Sequence, residues 1–223
     1  MRPTSGGYVP GVDGEGAAAR RVFTPEELLP ALLPSKAGGP GTIGQLGLGT
    51  GPGKGELMAD CPSRAKDMVA ELYRMTAPRV TQLTPVEEGD AAPGPAEQIV
   101  TMSRDLAARF VELKRAVAGA CRQTTVTAVG SRSVPPQTLR FGQHKVRMGD
   151  DAFVQETTTW EGGADAVSAG ASAGERSYSI VIRMGGVLLM YGDFRTEAAA
   201  LAAGEKAAAH ARPVLLRASS TPG

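Results

Sequence analysis

The chemistry this 223-residue chain could perform rests on few side chains, beginning with its two histidines, His144 and His210. His144 stands between Gln143 and Lys145, and His210 lies late in an alanine-rich stretch, where a cation suits a helix C-terminus. Neither has a second histidine, a cysteine or a carboxylate at ligand spacing, so no metal site and no cofactor is expected. Paired carboxylates could come from Gly149-Asp150-Asp151, Glu156, Glu161 and Asp193, but a turn at Gly149-Asp150 with solvated faces beyond it accounts for them more simply. There is no G-x-S-x-G, and neither cysteine has the context of a catalytic thiol.

Two glycine patterns fail on context. Gly39-Pro40-Gly41-Thr42-Ile43-Gly44 fits G-x-G-x-x-G, yet no strand precedes it and further glycines follow where a helix should open. Gly53-Lys54 resembles a phosphate loop, but Leu48 and Gly55 occupy the positions that need Gly and Ser or Thr. Nine glycines between 38 and 55 read as loop. With the titratable groups scattered through turns and strand ends, no cleft holding two strongly shifted groups in contact is expected.

Cys61 and Cys121 flank helix ends, one before a helix over 63–76 and one after a helix over 96–119. Antiparallel packing of those helices would bring the sulfurs together. A strand at 79–86 would return the chain, favour a parallel pair and separate them. Spacing alone leaves a disulfide and two buried thiols equally open.

Composition narrows the class. Twenty-four basic and 23 acidic residues leave a net charge of +1, which draws neither nucleic acid nor an acidic membrane surface. Aromatics at 4% supply no base-stacking platform. No apolar run approaches the roughly 20 residues of a membrane span. Met1 to Gly7 lack the order of a signal peptide, so the chain reads either as cytoplasmic or as a mature fragment.

The elements follow from periodicity. Thr24-Pro25-Glu26-Glu27 combines a cap, a first-turn proline and a capping box, and Leu28, Leu29, Leu32 and Leu33 follow. Pro78 closes the 63–76 helix, and Pro85 would confine a strand at 79–86 to a sheet edge. Residues 87–95 read as a linker. Ile99, Met102, Leu106, Phe110, Leu113 and Val117 draw one apolar stripe over 96–119. Five strands follow, at 123–129, 137–147, 152–160, 177–184 and 187–194. Gly185-Gly186 joins the last two as a tight hairpin, setting Ile182 opposite Leu189, Ile180 opposite Tyr191 and Val181 opposite Met190. Both faces of that hairpin are apolar, so it belongs centrally in a sheet. A loop at 162–174 and a helix from Thr196 to Ala211, ended by Pro213, complete the chain. The order is α+β, an antiparallel meander with helices packed on it. Residues 1–22 form an N-terminal tail, 23–213 one domain, and 214–223 a C-terminal tail.

The segments "TPEELLPALLP", "ADCP" before a helix, "GAC" after a long helix, "MGDDAF", and "YSIVIRMGGVLLMYG" before an alanine-rich helix give the chain a recognisable layout. It resembles the extracytoplasmic sensor domains of mycobacterial PknH-type serine/threonine kinases and related secreted proteins and lipoproteins of actinobacteria. The resemblance spans about 24–212. It implies an extracytoplasmic α+β domain stapled by disulfides, with a cleft for a ligand, and it implies that Cys61 pairs with Cys121. It carries over no catalytic residue. The chain departs from kinase sensor domains in having one possible disulfide rather than two, and in lacking a kinase domain or membrane anchor. Both departures point to a secreted protein or a trimmed lipoprotein. The expected function is therefore a non-enzymatic binding or sensing module for a small ligand or an envelope protein, with Trp160, Tyr178, Arg183 and Tyr191 as candidate contacts. The alternatives are a secreted hydrolase using gathered carboxylates and a protein-partner regulator or inhibitor.

Overall fold

In a computed structural model of the chain, residues 22–34, 41–47, 60–83, 96–129, 132–161 and 174–220 are described. The tail to residue 21, Gly53-Lys54, Pro85, the 87–95 linker and the loop over 162–173 lie outside the described residues. Ile180, Val181 and Ile182 succeed one another with all three side chains buried, so the strand that carries them is covered on both faces. That strand is β7 (Glu175–Met184), and Gly185-Gly186 turns it into β8 (Val187–Phe194). The register pairs Ile182 with Leu189, Ile180 with Tyr191 and Val181 with Met190, as alternation required. Gly185 has φ of 63°, a conformation that glycine adopts without strain.

This hairpin is the centre of one eight-stranded antiparallel sheet. Six further strands complete it: β1 (Thr42–Gly47), β2 (Thr76–Leu83), β3 (Ala96–Thr101), β4 (Gln123–Val129), β5 (Arg132–Val146) and β6 (Asp151–Glu161). Their order across the sheet is β1-β2-β3-β8-β7-β6-β5-β4, so two meanders meet where β3 pairs with β8. Helices α2 (Ser63–Arg74) and α3 (Arg104–Ala120) cover one face, over Val100, Phe153, Val181 and Leu188. Helix α1 (Pro25–Leu28), the 3₁₀ turn that follows it, and α4 (Glu197–Ser220) cover the other, over Ile99, Val154, Ile180 and Leu189. The fold is α+β.

Five elements differ from expectation. The glycine-rich stretch is not all loop, because Thr42–Gly47 pairs along β2 as an edge strand. A backbone ladder needs no side-chain pattern, and composition could not reveal it. The second helix stops at Arg74, and Pro78 sits within β2 opposite Gln45. β1 lies outside β2, so β2 is not an edge strand. The long 96–119 helix is in fact β3 followed by α3, capped by Ser103, whose Oγ accepts from the Leu106 N–H at 3.3 Å. Ile99-Val100-Thr101 is β-branched throughout and favours a strand. Ile99 therefore faces α4 rather than continuing the stripe of α3. Last, α4 runs through Pro213 to Ser220. An interior proline costs about 3 kcal/mol, and burying Val214 and Leu215 returns about 1.5–3 kcal/mol each. The segment from 214, expected as a tail, thus contributes to the core.

The extra strand also settles the helix pair. Between α2 and α3 the chain reverses into β2, into β3 and again into α3, which leaves the two helices antiparallel. Cys61, before α2, and Cys121, the C-cap of α3, are joined by a disulfide with Cα atoms 5.3 Å apart. A strand near 79–86 did not separate them, because a second strand followed it.

The N-terminal segment is pinned to β3 by polar groups as well as leucines. Thr101 Oγ1 accepts from the Phe23 N–H at 2.9 Å, and the Glu97 carboxylate accepts from the Leu33 N–H at 3.0 and 3.2 Å. Tyr191, directly opposite Glu97 in the sheet, donates its hydroxyl to the same carboxyl group. Burial pushes the Glu97 carboxyl above the ordinary value of 4.5, while the Tyr191 and Leu33 hydrogen bonds and the charge of His210 pull it down. An acid that holds its proton more tightly when folded takes up a proton on folding. Its contribution to stability is therefore full below 4.5 and declines as pH rises through the folded value. Glu97→Gln, which cannot ionise, is expected to flatten that decline in urea unfolding curves recorded from pH 4 upward. A variant that loses ground to wild type as pH rises would show that the fold holds the ionised carboxylate instead.

Candidate functional site

Helix α3 lies across the sheet and leaves a hollow on each side. Its stripe of Ala107, Phe110, Val111 and Leu113 is buried against β3, β6, β7 and β8. Its outer side is clamped to α2 by Arg109, whose Nε and Nη2 donate to the two carboxylate oxygens of Glu71 at 2.7 and 2.8 Å. That fork lowers the Glu71 carboxyl and raises the Arg109 guanidinium. The pair is exposed, and its role is to fix how α3 sits.

The first hollow, about 300 Å³, lies between α3 and strands β2, β3, β7 and β8. Arg79, Gln98, Ser179 and Asp193 give it a polar character, with Phe110 and Met190 as apolar walls. The second, about 310 Å³, lies between α2, α3 and strands β4 to β6. Val69, Leu72, Val117 and Phe141 make it apolar, and its polar contributors are Tyr73, Gln155 and Lys114. Lys114 lines both hollows.

That lysine is partly buried, with Nζ 6.0 Å from the centre of the Phe110 ring. Desolvation lowers its pKa, and among the described residues no carboxylate offsets the loss of water. Among the described residues neither Lys114 nor Arg79 has an ion-pair partner, whereas the neighbouring Arg115 is bound to Asp151. An amine held out of water without an acid favours any anion that can reach it.

The residues singled out from sequence are not gathered here. Arg183 is bound to Asp150, Nη1 to Oδ2 at 2.9 Å, and Asp150 Oδ2 also accepts from the Gly185 N–H at 2.9 Å. Tyr191 borders the first hollow, but its hydroxyl is committed to Glu97. Tyr178 packs beside α4 on the opposite face, and Trp160 stands near the end of β6 beside Gly174. The structure thus spreads these four over both faces of the sheet.

Asp150, Asp151, Glu156 and both histidines have structural partners. Asp151 meets both Arg115 and Lys145, and Glu156 lies 3.6 Å from Arg176. His144 lies 3.0 Å from Glu197 at the start of α4, and His210 Nε2 lies 3.1 Å from the Pro30 carbonyl. Two titratable groups pushed up by burial do touch, Glu97 and Tyr191, but not in a cleft. Their contact is in the core beneath the N-terminal segment. No three of His, Cys, Asp and Glu converge as metal ligands among the described residues.

Lys114 follows Phe110 by four and precedes Val117 by three, so the sequence already sets it at the edge of the apolar stripe. Arg79 and Gln98 depended on strand register that periodicity did not reveal. Comparison of the chain with protein-family models, with curated proteins and with solved structures finds no match.

Proposed function

We propose that this protein is a non-enzymatic, extracytoplasmic binding or sensing module that takes a small ligand beside α3. The observation that carries the reading is Lys114, an amine that has no acid partner among the described residues and borders both hollows. Each hollow has a volume at the small end of small-molecule sites, roughly 300–1,000 Å³. The pairing of Asp150, Asp151 and Glu156 with basic residues supports binding over acid–base hydrolysis. The disulfide supports an oxidising compartment, in keeping with the resemblance to PknH-type sensor domains and secreted actinobacterial proteins. No helix among the described residues is long and apolar enough to cross a membrane.

A screen of small organic probes of all charge types against the full chain, read by amide chemical shifts, tests the site. Binders should cluster their shifts on Leu72, Phe110, Lys114 and Phe141. Shifts that gather on the α4 face instead, or a screen that yields no binder, would overturn it.

A further inference from the structure

We infer that the ligand is a small amphipathic monocarboxylate, its charge against Lys114 and its apolar body in the hollow between α2, α3 and β4–β6. This deepens the binding reading above and rests on it. The second hollow is lined mainly by Val69, Leu72, Val117, Val126, Leu139 and Phe141, so an apolar body displaces water there favourably. Among the described lining residues Lys114 alone is charged. A carboxylate at that ammonium restores the solvation that burial removed, and a charge-assisted hydrogen bond is stronger in such surroundings than in water.

The alternatives are poorer matches. A neutral body would leave the amine uncompensated, and a cation would meet Lys114 directly. A hollow of about 310 Å³ accepts one short chain or ring rather than a two-chain lipid. Asp193 lines the other hollow, and among the described residues no carboxylate acts on the lysine's charge. Arg79, which also has no acid partner among the described residues, adds positive potential on the far side of Lys114.

The test uses octanoate, 1-octanol and octylamine, titrated separately into the full chain and followed by amide and methyl chemical shifts. Octanoate should move signals of Leu72, Val117 and Phe141 and bind at least tenfold tighter than octanol, with octylamine weakest. Lys114→Met should lower octanoate to the affinity of octanol while octanol is unchanged. The wild-type comparison decides the matter even if that variant does not fold. Octanol and octanoate binding equally in this hollow would overturn the carboxylate assignment and leave the binding site standing. No binding of any of the three in either hollow would overturn both.

Discussion

Replacing Cys61 and Cys121 together by alanine is expected to lower the unfolding free energy by about 4 kcal/mol. The bridge joins residues 60 apart, and an open chain regains the freedom of that loop only in the unfolded state. Both cysteines are buried, in a small cluster with Ala65 at the end of the α2–α3 pair. For a chain of this size, 4 kcal/mol corresponds to a fall in Tm of roughly 8–16 °C. Guanidinium unfolding of the double variant measures it. A change under about 1 kcal/mol would mean that the denatured chain keeps the α2–α3 contact without the bridge.

The second large effect is expected at Asp150. Its carboxylate and the Arg183 guanidinium are 5% and 13% exposed, so Asp150→Ala strands a nearly buried cation. Breaking such a pair from one side costs about 3–5 kcal/mol. The Gly185 N–H, bound to the same oxygen, loses its acceptor as well, and the hairpin turn loosens. Adding Arg183→Met to the first variant removes the stranded charge and should recover a substantial part of the loss. Urea unfolding of the two variants checks both statements. A double variant no more stable than Asp150→Ala alone would place the loss in the turn rather than in the charge.

The hairpin shows where sequence is sufficient. Alternation over Ile180–Ile182 and Val187–Tyr191, with glycines between, determines pairing, register and central position at once, because every inward residue carries the same message. Thr24 to Glu27 is equally explicit, since a cap is local chemistry: Thr24 Oγ1 accepts from Glu27 N–H while Glu27 Oε2 accepts from Thr24 N–H. The stretch from 96 to 119 misleads because Ile99 and Met102 satisfy a helical period and are also buried in β3 and in the connection that follows it. Edge strand β1 is silent because its partner recognises backbone alone. The candidate site was legible only in pieces. Lys114 sits at helical spacing from Phe110, but the hollows arise from the register of seven strands beneath α2 and α3, a property of the assembled sheet. Trp160, Tyr178, Arg183 and Tyr191 were selected for side-chain chemistry, and Arg183 and Tyr191 spend theirs inside the fold.

The seam between β3 and β8 has a consequence for how the chain becomes folded. Glu97 and Tyr191 are 94 residues apart, so the middle of the sheet waits for the last of the described strands to be synthesised. Such high contact order belongs to domains that fold in milliseconds to seconds rather than microseconds. During that wait the first meander presents β3 as an open edge, a template on which another chain could add. Glu97 lies near the start of that edge, facing what will become the interior. While water still reaches it, the side chain is an ordinary ionised carboxylate, and an inward-pointing charge is one of the devices that discourage strangers from pairing there. When β8 arrives it brings the Tyr191 hydroxyl, and the charge that guarded the edge becomes an acceptor in the finished core.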